Sequence, residues 1–106
     1  MDERDYKALN KDLLTNKNYK IMTHALKTWK PFFQPQEDGE KLFELRKDDR
    51  PYKVGDKFLS QEYDSQKNEY TGRETIYTIT YILRDADFFG LKTGYCILQL
   101  KQIENY

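Results

Sequence analysis

Apolar and polar side chains alternate most regularly between residues 73 and 84, RETIYTITYILR. Thr75, Tyr77, Ile79, Tyr81 and Leu83 fall on one face there, and Ile76, Thr78, Thr80 and Ile82 on the other. Both faces are apolar, aromatic or β-branched, which predicts a central strand covered on each side. Four other segments also predict strands: YKIMTHALKT, KLFELRK, KFLSQEYD and GYCILQLKQI. In the first, Ile21, Thr23 and Ala25 alternate against Met22, His24 and Leu26. In the second, Phe43 and Leu45 share one face, with Leu42, Glu44 and Arg46 on the other.

The intervening segments carry turn and helix chemistry. WKPFFQPQEDGEK, with Pro31 and Pro35, predicts a short helix or turn closed by Gly39. DDRPYKVGD predicts a turn around Pro51 and Gly55, stabilised by Asp48, Asp49 and Arg50, with Gly55 and Asp56 setting the start of the next strand. SQKNEYTG reads as a polar, hairpin-like loop, YTGR as a turn in which Gly72 permits positive φ, and DADFFGLKTG as a loop or single helical turn. Residues 1–19 predict a short helix, with Tyr6, Leu9 and Leu13 on one side, or else a frayed extension ahead of a domain at residues 20–106. Five strands with one or two short helices suggest an α+β domain: a curved, mostly antiparallel sheet or small β-barrel.

Composition narrows the function. A chain of 106 residues fits one core, and no apolar run approaches the ~20 residues a membrane helix needs. The opening MDERDYK lacks the apolar stretch of a secretory leader, and one cysteine allows no internal disulfide. A reducing, cytoplasmic setting is therefore expected. Charged residues reach 34% and hydrophobic ones only 38%, so the core is expected to lean on the nine tyrosines and six phenylalanines. Eighteen basic side chains balance eighteen acidic ones, which disfavours a protein that holds long duplex through its phosphates. Any nucleic-acid role must then use a local patch or pocket.

The candidate chemistry concentrates in GEKLFELRKDDRPYKVGD and HALKTWK. Glu44 and Arg46, two apart on a strand, point the same way and can pair. Such a pair is either an ordinary surface contact of ~0–1 kcal/mol or part of a site whose guanidinium stacks on a base or grips a phosphate. Lys41 lies at the start of that strand. In a desolvated cleft it could act as a base or nucleophile, whereas a solvated lysine would do neither. Lys27, Thr28 and Trp29 together offer a cation, a hydroxyl and a stacking surface, although Trp29 could equally cap a barrel. Arg73 could add a second guanidinium. His24, the one histidine, reads as a satisfied structural residue, and Cys96 as core. One His and one Cys predict no metal site, and no cofactor is expected.

HALKTWKPFF, GEKLFELRKDDRPYKVGD, YTGR and FGLKTGYCIL, in this order, resemble a family of small bacterial and phage domains of unassigned function. That family looks like a branch of the ASCH group in the PUA-like superfamily, and the resemblance covers residues 24–100. It implies a PUA-like β-barrel with short flanking helices and a cleft bordered by a Gly-x-Lys-x-x-Glu-x-Arg segment, here Gly39, Lys41, Glu44 and Arg46. In one ASCH branch, a small amidohydrolase of acylated cytidine, the lysine matching Lys41 is the proposed catalytic group. That branch has threonine in place of Glu44 and uses a further glutamate late in its chain. A carboxylate beside Lys41 favours the charged amine and opposes lysine-base chemistry.

Three functions follow from these expectations. The first is a domain, monomeric or weakly dimeric, that binds RNA or a modified nucleotide through Lys27, Thr28, Trp29, Lys41, Glu44, Arg46 and Arg73. The second is an amidohydrolase of an acylated nucleoside, with Lys41 and Glu44 as catalytic candidates. The third is a phage-related protein-interaction module using exposed aromatics.

Overall fold

The structure, a computed structural model, describes residues 20–103. The predicted N-terminal helix lies outside the described residues. Five strands form one sheet: β1 (Thr23–Trp29), β2 (Phe43–Lys47), β3 (Lys57–Asp64), β4 (Glu69–Leu83) and β5 (Tyr95–Gln102). Helix α1 (Lys30–Glu37) follows β1, and a 3-10 turn, Asp87–Phe89, lies between β4 and β5. The spatial order is β1-β3-β4-β5-β2, which puts the longest strand, β4, at the centre.

The sheet is mixed rather than simply antiparallel. Three pairings are antiparallel, but β1 runs parallel to β3, with Thr23 opposite Lys57 and Trp29 opposite Tyr63. It curls into a half-barrel that brings the two edge strands, β1 and β2, towards each other. Among the described residues no helix is long and apolar enough to cross a membrane.

The concave side holds the core: Leu26, Tyr52, Phe58, Tyr77, Ile79, Cys96, Leu98 and Leu100, with Leu42 and Ile82 packed against it. The alternation of β4 does not run unbroken. A register shift between Ile79 and Tyr81 reverses the faces, so Ile82, opposite Leu98, rather than Tyr81 continues the inward row after Tyr77 and Ile79. Burial pushes the Cys96 thiol up to about 11.

Three local expectations need correction. SQKNEYTG is not all loop: β4 begins at Glu69, and Gly72 takes its positive φ of 94° inside that strand, at a second irregularity. The ladder there steps from Gln61 opposite Glu74 to Tyr63 opposite Tyr70. Asp48 does not serve the turn that follows it but pairs with Arg84 at 2.7 Å. β1 starts only at Thr23, later than its apolar pattern suggested. Asp56 does set the start of β3: its buried carboxylate accepts Lys53 N–H at 3.0 Å and Met22 N–H at 3.2 Å, and lies 2.8 Å from His24 Nε2. His24 is accordingly structural, buried beside the Tyr52 ring at 4.8 Å.

Candidate functional site

A groove of about 530 Å³ opens along the seam between the two edge strands. That volume falls in the range of small-molecule sites. Its lining comes from the end of β1, from α1 and from β2 with the residues leading into it.

Local sequence explains how these parts meet. Pro31 sits in the first turn of α1, where its missing N–H costs nothing, and Phe33 and Gln36 form the helix's buried face. The chain leaves α1 through Gly39 at φ 81°, a left-handed cap. The N–H groups of Glu40 and Lys41 then both bond the Pro35 carbonyl, at 2.9 and 3.0 Å. These bonds aim Lys41 back across the start of β2.

Glu44 is the centre of the site. Its side chain is 8% exposed, on the inward face of an edge strand, while Phe43 and Leu45 point outward. This inverts the usual arrangement, and three donors make it tolerable. Oε1 accepts from Gln36 Nε2 at 3.2 Å and Lys41 Nζ at 2.9 Å, and Oε2 from Arg46 Nε at 2.9 Å. Lys41 also donates to the Phe43 carbonyl at 2.8 Å, and Arg46 Nη2 to the Lys27 carbonyl on the opposite edge. Arg46 thus bridges the seam. Each cation spends two donors on the protein and retains further N–H groups, whereas the carboxylate already accepts from three donors.

Six of the seven binding candidates line this one groove. Lys27, Trp29, Lys41, Glu44 and Arg46 do so beside Thr28, whose hydroxyl is buried and accepts Ser60 Oγ–H at 2.6 Å. Trp29 is 54% exposed and caps no barrel. Lys27 Nζ lies over the Tyr63 ring, 4.2 Å from its centre. Arg73 is not part of the lining. Its guanidinium pairs with Glu37 at 2.6 Å, bonds Gln34 at 2.9 Å, reaches the buried Glu62 at 3.5 Å and stacks on Phe33 at 4.9 Å. It ties the irregular part of β4 to α1.

The groove also holds residues that sequence reasoning did not single out. Phe32, Phe43 and Leu45, each at least half exposed, form its apolar wall. The available signal was the alternation FELR itself, since only a strand with charged residues on its inner face leaves those apolar side chains outside. Lys41 Nζ lies 4.9 Å from the Phe43 ring centre and 5.7 Å from that of Phe32. Burial, with the Glu37 and Glu44 carboxylates acting in the same sense, pushes the Tyr77 phenol up to about 12. Among the described residues, no group of three or more His, Cys, Asp or Glu side chains could hold a metal ion.

No curated protein matches the chain. A family model, described as a domain of unknown function, matches residues 23–100, a span that contains both edge strands, α1 and the whole groove. The chain belongs to the DUF3850 family.

Proposed function

We propose that the groove binds an unpaired nucleotide, free or within RNA, and that the domain is a PUA-like module of the ASCH type. The observation that carries this reading is the imbalance around Glu44. Three cations, Lys27, Lys41 and Arg46, line the groove against one carboxylate, and that carboxylate already accepts from three protein donors. The remaining donors suit an acceptor-rich anion such as phosphate, which a guanidinium can take in two-point fashion. Beside them, Trp29 and Phe32 offer exposed rings on which a base can stack. The half-barrel is compatible with the PUA-like assignment.

An amidohydrolase acting on an acylated nucleoside is the second reading. It is favoured by the meeting of Thr28, Lys41 and Glu44 in one groove. Against it, the Lys41 amine is committed to two acceptors, which suits positioning an anion better than abstracting a proton.

A thermal-shift screen against nucleosides, nucleoside monophosphates and short RNAs tests the binding reading. A ligand at about 100 times its Kd adds ~2.7 kcal/mol, readily seen in a domain of this size. Phosphorylated ligands should stabilise the protein, and Arg46→Ala should cut the shift to about half or less. If no nucleotide or RNA shifts the transition, the reading fails.

A further inference from the structure

Three aromatic side chains stand in line across neighbouring strands, leading away from the groove. Trp29 on β1 is the register partner of Tyr63 on β3, and Tyr63 that of Tyr70 on β4. Register partners project from the same face of a sheet. Trp29 and Tyr70 are both more than half exposed, and the Tyr63 and Tyr70 rings meet edge to face with centres 5.3 Å apart. Lys27, on the same face of β1, holds its ammonium 4.2 Å from the centre of Tyr63 and 5.8 Å from that of Tyr70. Trp29 and Lys27 also line the groove, so groove and row are continuous.

We propose that this row is a second subsite, and that the ligand is an unpaired oligonucleotide rather than a single nucleotide. The proposal rests on the nucleotide reading of the groove and extends it. Two inter-strand spacings separate Trp29 from Tyr70, roughly 10 Å, which is room for two or three splayed bases. Rings set edge to face cannot sandwich a continuous stack, but each can take one unstacked base. Lys27, between the rings and the groove, is placed to meet the phosphate linking two such bases. The balanced net charge fits a short single strand rather than a duplex.

The row depends on the irregularity at Gly72. If the ladder kept the register of Gln61 opposite Glu74, Tyr63 would not face Tyr70. The buried Glu62 holds the irregular segment, accepting Thr71 Oγ1–H at 2.6 Å and lying 3.5 Å from Arg73 Nη1. Arg73 is thus a positioning residue for the row and not a wall of the groove.

Fluorescence anisotropy with oligoriboadenylates of increasing length, from the mononucleotide upward, tests this. Affinity should rise about tenfold or more from one nucleotide to three, each added base gaining a stacking partner. Tyr70→Ala should bring the trinucleotide's affinity down to that of the dinucleotide, whereas Tyr70→Phe should retain the gain. Equal affinity for one and three nucleotides would overturn the proposal while leaving the groove reading intact. Binding of neither would overturn both. An RNA duplex that competes as well as the single strand would also overturn the second subsite.

Discussion

The Nε–H of Arg46 donates to Glu44 Oε2 at 2.9 Å, from a side chain 24% exposed to one only 8% exposed. The pair is therefore not the fully solvated contact that would leave stability untouched. Arg46→Ala should cost about 1–3 kcal/mol, since Gln36 and Lys41 still hold the acid. Glu44→Ala should cost more, because it removes the acceptor that Gln36, Lys41 and Arg46 share. Urea denaturation of both variants checks this order. Arg46→Ala should also weaken nucleotide binding at least tenfold in a titration at fixed salt.

Gly39→Ala tests how the helix exit positions Lys41. A Cβ there would lie 3.2 Å from Gln102 Oε1, on a backbone held at φ 81°. The left-handed conformation alone costs a non-glycine residue about 1–2 kcal/mol. A fall in stability of that size, accompanied by weaker nucleotide binding, is expected. Binding unchanged in a destabilised variant would mean that the groove does not depend on this turn.

Alkaline pH should destabilise the protein in a defined window. Burial raises the Cys96 thiol from 9.0 to about 11 and the Tyr77 phenol from 10.0 to about 12. Through that range the unfolded chain has released protons that the folded chain keeps. Stability is therefore fully present below pH 9 and lost as the pH rises towards 12. Thermal melts at stepped pH should show the decline, and Cys96→Ala should flatten its lower half. Below pH 9 the thiol should also resist alkylation in the native state, being buried and protonated.

Acylated cytidine should pass through the protein unchanged. Lys41 donates to Glu44 and to the Phe43 carbonyl, so its nitrogen is engaged as a donor. Chromatography of the incubated nucleoside should show no free cytidine above the uncatalysed level. Turnover that disappears in Lys41→Ala would instead establish the amidohydrolase reading.

The local elements were legible because they depend on short-range pattern. The alternation around Tyr77 and Ile79 announces a central strand, and Pro31 with Gly39 brackets α1. Pairing is a different matter. Nothing in HALKT says that β1 lies parallel to β3, because alternation fixes a face and not a neighbour. The reversal after Ile79 was equally hidden, since a bulge costs the pattern only one residue. At the site, the two-residue spacing of Glu44 and Arg46 carried real information about a shared direction. Arg73 misled because an arginine beside a turn glycine looks the same whether it faces a ligand or Glu37 and Glu62. Phe32, Phe43 and Leu45 escaped notice because apolar side chains on a strand and helix are ordinarily assigned to the core.

The strand order also has a kinetic meaning. β3 and β4 are joined by a tight turn and can pair early, whereas each edge strand must find a partner far away in the chain: β1 with β3, and β2 with β5. Distant pairings are slow to form because the loop entropy is lost before any contact compensates for it. The seam, which the Arg46 side chain bridges by its bond to the Lys27 carbonyl, is then the last joint to close. We expect Arg46→Ala to speed unfolding while leaving the refolding rate nearly unchanged, a φ-value near zero by stopped-flow, whereas slowed refolding would place the seam in the nucleus. A nascent chain would thus acquire its sheet before it acquires anything able to hold a ligand.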